Sequence, residues 1–185
     1  MRYIKYAYEK DLKDIDKVDL SLQSKYNVLK GRFLENLIQI TMMKFNREKI
    51  DGALFGKSGI IEVPLFNIVD TRQVKASKTK SYQIDVFARE NDIRWLCECK
   101  YTKTKMNLNQ VKKLERAADA VVKEAVEMGI NTPKIQLWLI STGGFTDSVL
   151  AYAGKRVHIY YSDYERITGI FHLYGGNYQI PIFNN

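Results

Sequence analysis

Cysteine and histidine are scarce in this chain, with two of each among 185 residues. Cys97 and Cys99 are one residue apart in a run that reads as a strand, so both point to one side, about 7 Å apart along the chain. That is a poor geometry for a disulfide, and two histidines add too few ligands for a Cys/His zinc cluster. Long apolar runs are missing as well. Stretches such as Ile135 to Ile140 fall far short of the roughly 20 residues needed to cross a bilayer. The N-terminus opens on mixed charge (Arg2, Lys5, Glu9, Lys10, Asp11) and lacks the apolar core of a signal peptide. These absences imply a cytoplasmic protein with a reducing environment and no membrane partner. Internal repeats, low-complexity tracts and long linkers are absent too, which leaves one domain over residues 25–185, preceded by a charged arm at 1–24. Acidic residues are the minority: 21 against 29 Lys and Arg, a net charge of +8. Such a balance favours an anionic partner, of which nucleic acid is the commonest.

Periodicity supplies the elements. Tyr26, Leu29, Phe33, Leu37 and Ile40 recur every three or four residues and predict a helix over about 24–47. Strand-like runs follow at 60–70, 71–76, 82–88 and 93–101. A second long helix begins near Asn107, where Gln110 three residues on completes a capping-box pattern, and ends at Gly129. A buried strand at 135–141, a short helix at 145–153 and a strand at 157–161 complete the pattern. The aromatic, Gly-rich tail carries no assignable pattern. Helices between the later strands imply parallel pairing, while the earlier strands form a meander. The expected class is α/β: a mixed sheet flanked by helices, with an α-β-β-β-α-β core.

The informative segment runs from Gln83 to Lys100. A tight turn at Asn91-Asp92 sets Asp85 opposite Glu98 and Gln83 opposite Lys100. Opposed residues share a face with Cβ atoms about 5 Å apart, and alternation keeps Glu98 and Lys100 on that face while Cys97 and Cys99 turn away. Two carboxylates so placed repel unless a cation lies between them. Mg²⁺, or Mn²⁺, accepts one or two carboxylates and leaves places for water and phosphate. Asp85 and Glu98 are the expected ligands, with the backbone carbonyl of Cys99 a third. Lys100 is the candidate cation for charge developing on phosphorus. The competing reading of these residues is a solvent-facing, charged strand pair.

Asp85 followed by Glu98-Cys99-Lys100 resembles the signature of the PD-(D/E)xK, or restriction-endonuclease-like, nuclease superfamily. That family often adds a glutamate from the helix before the sheet. Glu35, in Gly31-Arg32-Phe33-Leu34-Glu35, occupies that place, with Gly31 leaving room on the same helical face. The stretch Ile140 to Thr146, leading into a helix and a strand, is similar to the C-terminal half of Mrr-type restriction enzymes and to the nuclease-like domain at the end of some archaeal ATPases. The similar stretches span roughly residues 28–162. Ile84 stands where the family name has proline, and Gln110 is followed by Leu114, so the Gln-x-x-x-Tyr of DNA-end-processing relatives is missing. The resemblance implies a metal-dependent phosphodiesterase, a DNA endonuclease first, with Lys100, Glu98, Asp85 and Glu35 catalytic. It leaves open a catalytically silent module that binds nucleic acid or a protein such as an ATPase, and a Holliday-junction resolvase, which would require a homodimer. Glu35 has a second reading as a surface or structural ion-pair residue, and Gln110 as a helix cap.

Two basic clusters flank the proposed site. Lys103, Lys105, Lys112 and Lys113 follow the Glu98-Lys100 strand. Lys75, Lys78 and Lys80, with Arg72, precede Asp85 in a segment that reads as a mobile loop. Together they suit a phosphate-backbone track whose affinity falls steeply with salt, with little base reading.

Overall fold

The computed structural model describes the backbone of residues 2–175 and the side chains of residues 21–175. Residue 1 and the end of the expected domain, 176–185, lie outside the described residues. The first element, α1, runs from Arg2 to Met43. The expected arm and the helix after it are therefore one continuous rod, about 63 Å long at 1.5 Å per residue. A small two-stranded ribbon, β1 (Lys49–Asp51) and β2 (Ile60–Glu62), encloses a 3₁₀ turn at Gly52–Phe55. The run at 60–76 is thus divided differently from its sequence reading: β2 is short, and β3 (Ile68–Lys75) continues across the expected break.

The remaining elements are β4 (Ser81–Glu90), β5 (Ile93–Lys100), α2 (Leu108–Glu127), β6 (Lys134–Ser141), α3 (Asp147–Gly154), β7 (Ile159–Asp163) and α4 (Tyr164–Leu173). They build a mixed five-stranded sheet in the order β3-β4-β5-β6-β7. β3, β4 and β5 pair antiparallel, and β5, β6 and β7 pair parallel. The parallel half follows from the crossover helices α2 and α3, because strands joined by helices return in the same direction. α4 occupies part of the tail that carried no sequence pattern.

Both sheet faces are covered, as a sheet with a parallel half requires. One apolar layer joins Leu34, Leu37, Ile38 and Met42 of α1 and Ile167, Ile170 and Phe171 of α4 to Val86, Ala88, Trp95, Cys97, Trp138 and Ile140 of the sheet. The other packs Val111, Leu114, Ala118 and Val121 of α2 and Val149 of α3 against Ile84, Phe87, Leu96, Leu137 and Leu139. The buried stripe of α1 differs from the one its sequence suggests. Of the five residues at helical spacing only Leu37 is buried, while Tyr26, Leu29, Phe33 and Ile40 are exposed. The helix carries two apolar faces, and the sheet takes the other one.

Local chemistry sets the boundaries of α2. The Asn107 side chain accepts from the Asn109 amide, and Gln110 Oε1 accepts from the Asn107 amide, a complete capping box. The exit is made by Gly129 at φ +71°, a left-handed backbone that glycine adopts without a Cβ penalty. Both cysteines are free thiols, and Cys97 is buried against Met42.

Candidate active site

The hairpin of β4 and β5 turns at Asn91, whose φ of +49° is a left-handed conformation that asparagine tolerates. From there the register runs Glu90 with Ile93 through to Val86 with Cys97, which is the pairing the sequence implies. It stops one step short of Asp85 and Glu98. The cause lies on the other edge of β4. Asp70 pairs with Phe87 and Arg72 with Ile84, so two residues, Asp85 and Val86, face the single Thr71. This is a β-bulge, which bends a strand and re-aims a side chain. The core records its effect: Ile84 and Phe87 face α2, whereas Val86 and Ala88 face α1. The β4–β5 ladder has ended before Gln83 and Lys100, which pair with Gln73 of β3 and with Ser141 of β6.

Beyond the last pair the strands splay, and the Asp85 side chain fills the gap. Its Oδ2 accepts a hydrogen bond of 2.8 Å from the Cys99 backbone amide. The carboxylate therefore lies between the strands, taking the place of a ladder carbonyl. Trp95 and Cys97 belong to the α1-side layer and Leu96 to the α2-side layer, so alternation turns Glu98 and Lys100 toward α2. Lys100 Nζ donates to Gln110 Oε1 at 3.4 Å. Gln110 thus caps α2, as its spacing from Asn107 suggested, and also accepts from the candidate lysine.

Electrostatics ties the acids together. Burial, and then the charge of Asp85, push the Glu98 carboxyl up to about 7. Burial raises Asp85 as well, against the opposing pull of the Cys99 amide and the positive charge of Lys113. Glu35, reaching in from α1, is also raised, first by burial and then by Asp85, with Arg32 opposing. Three carboxyls from α1, β4 and β5 thus feel one another at one end of the sheet. Neither Asp85 nor Glu98 forms a salt bridge among the described residues. Also among the described residues, no three His, Cys, Asp or Glu side chains are grouped closely enough to hold a metal ion by themselves. Asp85 and Glu98 offer carboxylate oxygens and no soft ligand. That composition suits a hard ion such as Mg²⁺ rather than zinc.

The basic residues divide. Lys113 lies where its charge favours the ionised forms of Asp85 and Glu98. Lys112, one residue away and about 100° around the helix, turns to α3. There it binds Glu115 at 2.8 Å and the Tyr152 hydroxyl. Lys112 thus takes part in the α2–α3 contact. Arg72 is likewise engaged, with Glu124 at 2.6 Å. Lys75 and Lys78 line an open cleft of about 720 Å³ against Lys123, Glu124 and Glu127 of α2. Lys80 lies over the Tyr82 ring.

Lys103 and Lys105 sit on the loop between β5 and α2, and that loop is held by contacts the sequence did not reveal. The Thr142 hydroxyl accepts from the Thr102 amide at 2.9 Å and donates to the Thr102 carbonyl at 3.2 Å. Met106 forms a parallel bridge to Phe145. At Gly143 an added Cβ would stand 2.5 Å from the Thr102 carbonyl oxygen and 2.6 Å from that of Thr104, so only glycine lets the two loops meet. Gly143 lies in the Ile140 to Thr146 stretch, and a glycine directly after a buried strand was the signal of this close approach. Gly31 shows the reverse. A Cβ there would meet nothing within 4 Å, so no close packing beside Glu35 requires glycine.

Comparison with family models, with curated proteins and with solved structures finds no match to this chain. The described helices include none long and apolar enough to cross a membrane.

Proposed function

We propose that this chain is a metal-dependent nuclease on a restriction-endonuclease-like core, hydrolysing phosphodiester bonds in nucleic acid, with DNA as the first substrate. The observation that carries the reading is the pair of desolvated, mutually repelling carboxyls, Asp85 and Glu98, beside Lys100 and Lys113 where β4 and β5 part. Burying acids without counter-ions costs stability, and a site that binds a cation recovers it. Asp85 and Glu98 would hold Mg²⁺ or Mn²⁺, with the Cys99 carbonyl as a further oxygen. When bound, such an ion lowers the pKa of its water and polarises the phosphoryl oxygen.

The chain's own groups do the rest. The Cys99 amide fixes the Asp85 carboxylate, so its free oxygen is aimed before any ligand arrives. Gln110 holds the Lys100 ammonium near the acids, where it orients the attacking water and offsets charge developing on phosphorus. Glu35, raised by burial, stands on the far side as an acceptor for a proton of that water. Lys103 and Lys105, on their pinned loop, bear on the phosphate backbone. Lys75, Lys78 and Lys80 extend the basic surface along α2.

Nicking of supercoiled plasmid with Mn²⁺ tests the reading, comparing wild type with Asp85→Ala and Lys100→Ala. The expected outcome is nicking by wild type and its loss in both variants. Equal nicking by all three would trace the activity to a contaminant and overturn the proposal. A second reading, a silent module of the same fold that binds nucleic acid, is favoured by the absence of a three-residue metal-ligand group among the described residues. DNA binding with no cleavage by wild type would select it.

A further inference from the structure

The exposed face of α1 is organised. Leu22, Tyr26, Leu29, Phe33, Ile40 and Met43 are each between 41 and 61% exposed. With Asn36 between Phe33 and Ile40, they succeed one another at alternating steps of four and three residues. That is the a/d spacing of a coiled-coil seam over three heptads, with one polar position. The seam is distinct from the face that packs on the sheet, where Leu34, Leu37, Ile38 and Met42 are buried. Residues 21–29 are exposed all round, so this part of the helix gains little from its own domain. Helices without tertiary packing are marginal in water.

Charge identifies the occupant. The positions flanking the seam, e and g, carry Lys25, Lys30 and Arg32, together with Gln23, Gln39 and the buried Leu37. None is acidic. The Lys30 ammonium lies 4.0 Å from the centre of the Tyr26 ring, on the border of the seam. Pairing this segment with its own copy sets its cations against cations, glutamine or Leu37 and against no acid. Like charges at flanking positions disfavour that pairing and select a partner of opposite sign.

We propose that this seam docks an amphipathic helix of another protein, with apolar residues at heptad spacing and glutamate or aspartate on its flanks, forming a two-helix coiled coil along α1. The proposal is independent of the nuclease reading, since neither Leu29 nor Phe33 belongs to the acidic site.

The test uses the full chain and two synthetic four-heptad peptides with leucine at the a and d positions, one flanked by glutamate and the other by lysine. Binding is read by fluorescence anisotropy, and self-association by sedimentation velocity. The expected result is a monomer that binds the glutamate peptide at least tenfold more tightly than the lysine peptide. Leu29→Glu and Phe33→Glu should abolish binding while leaving the thermal midpoint unchanged, because both side chains lie outside the core. Equal affinity for the two peptides, or binding to neither, overturns the proposal. So does a concentration-dependent dimer that Leu29→Glu disrupts, which would make a second copy the occupant. Wild-type co-sedimentation with phosphatidylglycerol vesicles, lost in Leu29→Glu, would assign the seam to a lipid surface instead and overturn it equally.

Discussion

The two ends of the β4–β5 hairpin treat buried acid in opposite ways. At the turn end Glu90, 6% exposed, accepts from the Arg47 guanidinium and from the Leu65 amide at 3.1 Å. Arg47 adopts a left-handed φ of +59° beyond the end of α1, so a charged pair staples that end of the helix to the hairpin. At the splayed end Asp85 receives one amide hydrogen bond, Glu98 forms no salt bridge among the described residues, and burial raises both carboxyls. An acid that serves the fold is given its partner within the chain. An acid left short of partners at one end of the same hairpin keeps a raised pKa, which the cation of the proposed function would lower.

The sharpest way to break this contrast is to neutralise each end in turn. Asp85→Asn and Lys100→Ala should lower Mn²⁺-dependent nicking by roughly a hundredfold or more, with circular dichroism unchanged. Glu90→Ala should leave the nicking rate per folded molecule intact but lose about 2 kcal/mol of stability in urea melts, because the Arg47 guanidinium and the Leu65 amide both lose the carboxylate that accepts from them. Stability loss at Asp85 comparable to that at Glu90 would erase the distinction.

Titration separates the ends next. Glu98 has its folded pKa raised to about 7, so between its ordinary carboxyl range and pH 7 the folded chain binds more protons than the unfolded one. Its contribution to stability is therefore present at low pH and is lost as pH rises toward neutrality. Glu98→Gln should flatten that decline and stabilise the metal-free protein at pH 8 by about 1–3 kcal/mol, measured by thermal melts from pH 4 to 8. A destabilised Glu98→Gln at pH 8 would mean that the ionised carboxylate already has a partner. A smaller effect concerns the helix that carries Glu35. Gly31→Ala should stabilise α1 by about 1 kcal/mol with nicking unchanged, since the added methyl meets open space; a loss of activity would place the substrate at that spot.

Much of this arrangement was legible in residue order. Asn91-Asp92 announced the turn and with it the register, and Asn107, Gln110 and Gly129 marked the bounds of α2. The bulge was not legible. Tyr82, Ile84, Val86 and Ala88 alternate as a regular strand would, and because both sheet faces are buried the switch of face between Ile84 and Val86 leaves no polar signature. The choice of face on α1 was hidden for a related reason: two apolar stripes share one helix, and sequence spacing does not say which meets the sheet. Lys112 and Lys113 read alike in the sequence, yet one helical step sends one toward Tyr152 and the other toward the acids.

Calorimetric titration of Mn²⁺ into the protein at pH 7, repeated in buffers of different ionisation enthalpy, tests the cation site most directly. One site should appear, with a fractional proton released on binding as Glu98 ionises, and both the heat and the proton should vanish in Asp85→Asn and Glu98→Gln. Wild-type protein that takes up no Mn²⁺, or variants that bind it as well as wild type, would contradict the account.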